Sequence, residues 1–383
     1  MDNLSLPVGT KDQFGAEAQL QDYVTSQLSD LFNHRGYEKL KTPVVEFASV
    51  FEPLQADNYR PYQMLDDRGR TLVLRPDLTL PVARVMSATG IEPPVKWYYT
   101  GDVFRLKKEL SGSYNQETQA GVEIIGYPDF KAELECLMIA LKGCQALNIS
   151  GVTVQLGDAK FIDSLLTKLP LTDPSKQELR SALFEKNLSK YDKLIETMVD
   201  SKFSQFLKEW PWMFGTFSEV MTKLESLVSI PEIYEMLQRF RVAADFISDN
   251  FPKVEITLDL SMKSPQNYYT GLIFQGFSNS SSEYLFSGGR YDDLLKNFQQ
   301  NQISAVGLAF NVDGLSRHLL DKKTVAKRLL FFNSDQWQEA EKLVLENQDL
   351  TMCLATDIEE ARRIADSKGV ELVDISQGGK PNE

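Results

Sequence analysis

The chain has 383 residues, of which 42% are hydrophobic and 25% are charged, a composition typical of a soluble globular protein with one large and one smaller domain. Its formal net charge of −13 argues against a large basic surface for nucleic acid. No run approaches the ~18 apolar residues of a membrane helix, and the N-terminus lacks a charged-then-apolar signal pattern. We therefore expect no membrane partner and a cytoplasmic location.

Cysteine and histidine are both scarce. Cys136, Cys144 and Cys353 have no CxxC spacing, and Cys136 and Cys144 are eight residues apart on one predicted helix. We therefore expect Cys136 and Cys144 to be ordinary buried thiols, in a reducing cytosol. With only His34 and His318, the chain has few of the side chains most used for metal binding and proton transfer. We expect neither a metal site nor a cofactor.

An amphipathic helix and a hairpin open the chain. Apolar residues at three- and four-residue spacings predict the helix over residues 17–33, and Gly36 ends it. The hairpin has its turn at residues 67–69.

A polar cluster follows the hairpin. Asp77 and Thr79 lie between Pro76 and Pro81, where a strand gives way to a helix over residues 81–89. A cluster at the start of a helix suits a binding site. Asp77 as an ordinary helix cap is the alternative interpretation.

The next stretch reads as strand, loop, strand. Residues 97–105 are largely aromatic and β-branched, and residues 116–125 alternate polar with small or apolar side chains. The charged loop between them, residues 107–114, suits the long tip of a hairpin.

This hairpin carries three polar side chains of interest. Gln119 and Glu123 are an even number of residues apart and therefore point to one face of a strand. Arg105 ends the first strand. A cation, an amide and a carboxylate on one face suit a zwitterion or a phosphate-bearing ligand. A surface hairpin with ordinary polar residues remains the alternative.

The second half of the chain changes character twice. Residues 160–245 have a helical pattern throughout, which predicts an inserted subdomain. Strand patterns return at residues 254–260 and 268–274, and residues 303–320 predict a strand that runs into a helix. Residues 321–383 predict a strand–helix–strand–helix–strand module.

The order of several segments resembles histidyl-tRNA synthetase, a class II aminoacyl-tRNA synthetase. The segments are LRPDLT (74–79), YYTGDVFR (98–105) with GSYNQETQAGVEIIG (112–126), NYYTGLIF (267–274), SGGRYDDLL (287–295) and SAVGLAFNVDGL (304–315). Their order is more specific than any one of them.

The resemblance implies an α+β fold. It would consist of a class II synthetase-like antiparallel sheet flanked by helices over residues 1–320, with the helical insertion at 160–245 and the small α/β module at 321–383. It also implies that residues 41–47 form a twofold interface between two copies of the chain.

This sequence departs from the family at positions that bind ATP. Lys107 replaces an acid that contacts adenine, residues 112–117 lack the arginine of a GRYRQF-like run, and Gly314 replaces the γ-phosphate arginine. The arginine of the family's RGLDYY segment is also lost, near Lys263. Adenylate formation needs cations around the triphosphate, and a lysine does not reproduce the planar fork of an arginine. We expect no catalytic residues and no aminoacylation.

The positions that hold the amino acid in the family keep suitable side chains. Carboxylate and amide oxygens accept hydrogen bonds from an α-ammonium, a tyrosine hydroxyl can partner an imidazole nitrogen, and an arginine suits a carboxylate. The candidate histidine-binding residues are Asp77, Thr79, Arg105, Gln119, Glu123, Tyr268 and Tyr269. The alternative is that the sheet alone requires them, but converging polar groups are costly without a ligand.

This combination is similar to the regulatory subunits of ATP phosphoribosyltransferase, which are paralogues of histidyl-tRNA synthetase. That resemblance implies a hetero-oligomer with the short catalytic subunit, activity in the first step of histidine biosynthesis, and feedback inhibition by histidine. The acidic charge and the short C-terminal module argue against tRNA as a partner. Two alternatives are a divergent histidyl-tRNA synthetase, in which Lys263 or Arg317 replaces the lost arginines, and a stand-alone amino-acid sensor.

Overall fold

The computed structural model describes residues 4–54, 60–106, 114–196, 204–227, 231–264, 266–279, 281–298, 301–320, 328–347 and 349–377. The chain divides into two compact units, Met1–Leu319 and Leu320–Glu383. None of the helices in these described ranges has both the length and the apolar character that a membrane span needs.

Up to residue 320, strands and helices alternate irregularly. The strands are β1 (Glu38–Lys39), β2 (Val45–Phe47), β3 (Gln63–Leu65), β4 (Thr71–Leu74), β5 (Val95–Phe104), β6 (Gln116–Ile125), β7 (Val152–Asp158), β8 (Phe214–Thr216), β9 (Glu255–Asp259), β10 (Leu272–Ser278), β11 (Ser281–Arg290) and β12 (Ala305–Asn311). The helices are α1 (Ala16–His34), α2 (Thr79–Thr89), α3 (Lys131–Ala146), α4 (Phe161–Lys168), α5 (Asp173–Phe184), α6 (Leu188–Ile195), α7 (Ser204–Glu209), α8 (Phe217–Leu227), α9 (Pro231–Asn250) and α10 (Val312–Leu320).

Nine of these strands form the central sheet, in the order β1-β5-β6-β12-β11-β10-β7-β9-β8. The pairs β1–β5 and β7–β9 are parallel and the other neighbours are antiparallel. The expected antiparallel sheet is therefore mixed at its two ends. The strands β5, β6 and β12, which carry the predicted motifs, are antiparallel to one another.

Helices cover both faces of this sheet. Val24, Leu28 and Phe32 of α1 pack with even-numbered residues of β6 such as Val122. The opposite face packs against α2 and contains Tyr99 and the other odd-numbered residues of β5. Because side chains alternate along a strand, Gln119 and Glu123 lie on the α2 face. Cys136 and Cys144 of α3 are free and buried, as predicted, and Cys353 is also free and buried.

The predicted first hairpin is confirmed as a small separate sheet, in the order β2-β4-β3. Its turn lies between Leu65 and Thr71. Asp66 accepts hydrogen bonds from the backbone N–H groups of Arg68 and Arg70, and Gly69 has φ +74°, a conformation that favours glycine.

The inserted region is not helical throughout, contrary to the prediction. Strand β8 interrupts it and pairs with β9 at the edge of the central sheet. Trp210 is fully buried, and its Nε1 donates a hydrogen bond to the carbonyl of Leu260 at 3.1 Å. The chain therefore passes next to β9 immediately after Trp210, where backbone pairing competes with helix formation.

The strand predicted over residues 268–274 begins later, at Leu272. Pairing between β10 and β7 starts with Leu272 opposite Asp158, which is the last residue of β7. Tyr268 and Tyr269 therefore lie in the turn that leads into β10, beyond the end of its neighbouring strand.

The second unit contains the predicted strand–helix–strand–helix–strand order. Its elements are β13 (Arg328–Phe331), α11 (Trp337–Glu346), β14 (Leu350–Cys353), α12 (Ile358–Lys368) and β15 (Leu372–Asp374). The sheet is parallel, in the order β14-β13-β15. Leu330 packs with Ala340 of α11, and Leu329 packs with Ala361 of α12, so both faces of β13 are covered.

Candidate functional site

All seven predicted site residues line one cavity of about 260 Å³ on the α2 face of the central sheet. They come from four places: the start of α2, the end of β5, the middle of β6 and the turn before β10. In that order they are Asp77, Thr79, Arg105, Gln119, Glu123, Tyr268 and Tyr269. The volume is slightly below the ~300–1,000 Å³ of drug-sized ligand sites, and therefore suits a small metabolite.

Glu123 is the most buried acid of the cavity, with 1% of its surface exposed. Its carboxylate accepts hydrogen bonds from Thr79 Oγ1 at 2.8 Å, from the hydroxyl of Tyr99 at 3.2 Å and from the hydroxyl of Tyr291. Burial raises the pKa of Glu123 to about 8, although the hydroxyls of Tyr291 and Thr79 oppose this rise. Burial therefore favours the neutral form of the Glu123 carboxyl group, and a cation bound beside it would favour the charged form.

Asp77 makes two contacts at once. Its Oδ1 accepts a hydrogen bond from the backbone N–H of Leu80 at 2.8 Å, which makes it a cap for α2. Its Oδ2 lies 3.3 Å from the hydroxyl of Tyr268. Burial raises the pKa of Asp77. The helix-cap and binding-site interpretations are therefore compatible.

Arg105 brings positive charge to the rim of the cavity. Its Nε donates a hydrogen bond to the carbonyl of Pro76 at 2.7 Å, and its Nη1 lies 3.6 Å from Glu117 Oε2. Among the described lining residues, Asp77 and Glu123 oppose this one guanidinium. The cavity thus combines one guanidinium with two carboxyl groups, which suits a ligand that carries both an acidic and a basic group.

Sequence reasoning missed several lining residues, and they are mainly aromatic or polar. They are Tyr99, Gln266, Gln275, Tyr284, Ser287 and Tyr291. Tyr99 could have been predicted from strand parity. It pairs with Gly121 and therefore lies on the same face of the sheet as Gln119 and Glu123. Local periodicity does not indicate Tyr291, because its contact with Glu123 depends on which strands are neighbours, although Tyr291 lies in the family-like segment SGGRYDDLL.

Some of the positions at which the synthetase family has ATP-binding side chains fall within the described residues. Lys107 and residues 112–113 lie outside the described residues. The backbone N–H of Gly314 donates to Asn311 Oδ1 at 2.9 Å, and a Cβ there would lie 2.9 Å from Asn311 Nδ2. Arg317 pairs with Glu283, and Lys263 lines a different cavity. Neither Lys263 nor Arg317 is among the described residues that line the 260 Å³ cavity.

Among the described residues, no group of three or more His, Cys, Asp or Glu side chains is arranged to hold a metal ion.

Sequence comparison identifies relatives over the whole length. A sequence model of the histidyl-tRNA synthetase family matches residues 9–315. The ATP phosphoribosyltransferase regulatory subunit of Lacticaseibacillus casei is 41% identical over 376 residues, which cover 98% of this chain and 98% of that protein. The regulatory subunit of Lactiplantibacillus plantarum is 41% identical over 380 residues, which cover 99% of each chain.

Solved structures share the fold. A Bacillus halodurans protein described as an ATP phosphoribosyltransferase regulatory subunit/histidyl-tRNA synthetase superposes with a TM-score of 0.78 at 22% identity, over 100% of this chain and 95% of that one. Histidyl-tRNA synthetase from Nostoc sp. PCC 7120 gives a TM-score of 0.78 at 17% identity, over 99% and 93% of the two chains. The predicted class II synthetase-like fold is therefore confirmed. The chain belongs to the family of ATP phosphoribosyltransferase regulatory subunits, which have the histidyl-tRNA synthetase fold and a regulatory rather than a catalytic role.

Proposed function

We propose that this chain assembles in the cytoplasm with a short-form ATP phosphoribosyltransferase catalytic subunit, is required for the activity of that subunit in the first step of histidine biosynthesis, and makes it sensitive to histidine. The observation that carries the histidine site is the convergence of all seven predicted side chains on one cavity. Polar groups that converge in a buried cavity are the usual mark of a ligand site.

Histidine matches the chemistry of this cavity. Its α-ammonium is a donor for Asp77, Gln119 and Glu123, which are acceptors. Its carboxylate is a partner for the guanidinium of Arg105. A tyrosine hydroxyl, from Tyr268 or from its neighbour Tyr269, can hydrogen-bond to an imidazole nitrogen.

Inhibition would be allosteric. Histidine acts on a distant catalytic subunit only if it binds one arrangement of the complex more tightly than another, so that the population shifts. The bond between Tyr268 and Asp77 connects the turn before β10 to the start of α2, and a ligand between them would change how these two elements pack. A histidine site at the junction of the two subunits is the competing arrangement.

A twofold dimer is also part of the proposal. The small sheet of β2, β3 and β4 exposes apolar side chains close to the predicted interface segment 41–47. The exposed fractions are 44% for Val44, 40% for Val45, 40% for Phe47, 40% for Met64 and 71% for Leu65. Val45, Phe47 and Met64 lie on one face of this sheet, because Phe47 and Met64 both pair with Leu72, and an exposed apolar face is typical of a protein–protein interface.

The deciding experiment mixes this chain with a short-form catalytic subunit and measures product formation with and without histidine. We expect activity to appear in the mixture and to fall when histidine is added. If the mixture gains no activity, the proposal that the short-form catalytic subunit is the partner is wrong. If this chain alone catalyses histidine-dependent ATP–pyrophosphate exchange, it is a synthetase instead. Tight tRNA binding that weakens steeply with salt would indicate an RNA-binding role.

A further inference from the structure

A second cavity lies on the far side of Tyr268 and Tyr269. It has a volume of about 630 Å³ and lies between helices α4 and α5 of the inserted region and residues 262–264 and 267–270, which precede β10. Asp293, Leu294, Lys296 and Asn297 form part of its lining. We call it the insertion cleft. Its volume is within the ~300–1,000 Å³ range of small-molecule sites.

The insertion cleft has a local excess of positive charge. Its described lining includes Lys160, Arg180, Lys263 and Lys296, against the carboxylates Asp163 and Asp293. This balance is opposite to that of the whole chain, whose net charge is −13. A concave surface lined mainly by one sign of charge raises the local concentration of the opposite ion.

Both carboxylates of the lining pair with cations of the same lining. Asp293 lies 2.7 Å from Lys296 Nζ and 3.8 Å from Lys160 Nζ, so that one carboxylate is shared by two ammonium groups. Arg180 pairs with Asp163. The side chains of these pairs are partly exposed to solvent. Because an exposed ion pair contributes little stability, an anionic ligand can compete with Asp163 and Asp293 for the paired lysine and arginine side chains.

The polar groups of the cleft suit phosphate. Arginine binds a phosphate group through a planar fork and lysine binds it as a point charge. Ser264, Asn267 and Asn297 add a hydroxyl and two amides to the lining, which suit sugar hydroxyls or phosphoryl oxygens.

The two cavities share a wall. Tyr268 and Tyr269 line both the insertion cleft and the 260 Å³ cavity, with their ring centroids 5.3 Å apart. The hydroxyl of Tyr268 also lies 3.3 Å from Asp77 Oδ2, within the 260 Å³ cavity. A ligand that moves these rings from one side therefore changes the cavity on the other side.

From this arrangement we propose that the insertion cleft binds a phosphorylated small molecule and that this binding is coupled, through Tyr268 and Tyr269, to the affinity of the neighbouring cavity for histidine. The coupling rests on the proposed histidine site, whereas binding in the cleft does not. The chain would then integrate two signals, an amino acid and a phosphorylated metabolite.

The test uses the full chain and inorganic pyrophosphate as the probe. Calorimetry should detect saturable binding to one site, and the affinity should fall at least tenfold in the double variant Arg180→Gln/Lys263→Gln. The matched control is Lys190→Gln/Lys193→Gln, which removes the same charge from exposed positions on α6 outside the cleft lining. The control should lose less than threefold. If the double variant fails to fold by circular dichroism, Lys296→Gln alone replaces it, with a smaller expected loss.

Coupling is tested by titrating histidine with and without saturating pyrophosphate. We expect the two dissociation constants to differ by about fivefold or more, and the reciprocal titration to differ by the same factor. Absence of saturable pyrophosphate binding, or equal losses in both double variants, would overturn the site. An unchanged histidine affinity would overturn the coupling. Because pyrophosphate binding is measured without histidine, its failure is distinct from a failure of the proposed histidine site.

Discussion

Thr79 Oγ1 lies 2.8 Å from Glu123 Oε1, so that the first residue of α2 hydrogen-bonds directly to the middle strand of the β5–β6–β12 group. Both side chains are buried. Two segments that are 44 residues apart in the chain thus meet at the bottom of the cavity. Because Tyr99 and Tyr291 also donate to Glu123, this carboxyl group is fixed in position before any ligand arrives.

Replacement of Glu123 by Gln should weaken histidine binding about ten- to hundredfold. The amide keeps the size of the side chain but removes a charged acceptor, and a hydrogen bond to a charged group contributes about 1.5–3 kcal/mol. Calorimetry with the isolated chain measures the affinity, and the inhibition assay with the catalytic subunit measures the consequence.

Glu341→Gln is the matched control, because Glu341 lies exposed on α11 in the second unit. It should bind histidine like the unmodified chain. Full inhibition by histidine in the Glu123→Gln complex would remove the cavity from the mechanism and favour a site at the subunit junction.

Stability without ligand should fall as pH rises through neutrality. The carboxyl of Glu123 has a pKa of about 8 when folded, against an ordinary value of 4.5, so the folded state binds more protons between these two values. Within that window each pH unit lowers the free energy of unfolding by at most about 1.4 kcal/mol through this group. Urea denaturation at pH 5.5, 6.5 and 7.5 measures the slope. The stability of Glu123→Gln should depend less steeply on pH. Parallel curves of stability against pH for the two proteins would contradict the assignment of this dependence to Glu123.

Gly307→Ala should damage the cavity from the opposite strand. Gly307 of β12 pairs with Glu123 of β6, and a Cβ at this position would lie 2.9 Å from the carboxyl carbon of Glu123 and 3.1 Å from Cε1 of Tyr291. We expect the free energy of unfolding to fall by about 1–3 kcal/mol, as overpacking does elsewhere, together with loss of histidine binding. Denaturation and calorimetry measure the two effects. Ser304→Ala, just before β12, should change neither, and normal binding by Gly307→Ala would show that the carboxyl position is unimportant.

Arg290→Met should destabilise the first unit strongly. Arg290 donates from Nε and Nη2 to the two carboxylate oxygens of Glu133 at 2.6 and 2.5 Å, and the two side chains are only 10% and 3% exposed. Removing one partner leaves a buried charge uncompensated, which costs about 3–5 kcal/mol. Thermal or urea denaturation measures the loss.

Arg241→Met is the control for that variant, because the Arg241–Glu225 pair is 37% and 48% exposed and should contribute at most about 1 kcal/mol. The double variant Arg290→Met/Glu133→Gln should recover part of the lost stability. Equal losses from Arg290→Met and Arg241→Met would show that burial of the pair does not matter.

Strand parity explains why the β6 residues could be predicted. Gln119 and Glu123 are separated by an even number of residues, and this geometry holds wherever the strand lies in the sheet. Tyr268 and Tyr269 line the cavity but were assigned to the wrong element, because the start of β10 depends on where β7 ends, at Asp158. A strand boundary of this kind is set by the neighbouring strand and not by the local sequence.

Long-range neighbours account for what was missed. Tyr291 and Glu123 are 168 residues apart, and their contact requires the strand order β6-β12-β11, which no local pattern encodes. Strand β8 was missed for a similar reason, since Phe214–Thr216 is a strand only because β9 is available beside it. The resemblance to synthetases supplied the cavity residues that side-chain periodicity could not.

The position of Tyr268 and Tyr269 in a turn has a practical consequence for engineering. The side chain of Glu123 lies between two neighbouring strands, where it accepts a hydrogen bond from Tyr99 of β5 and lies against Gly307 of β12, so a replacement of different size disturbs the packing of the sheet. Residues 268 and 269 precede the paired part of β10 and are not enclosed between strands in this way. Redesign of the chain as a biosensor for a different amino acid should therefore vary residues 266–269 and leave β6 intact.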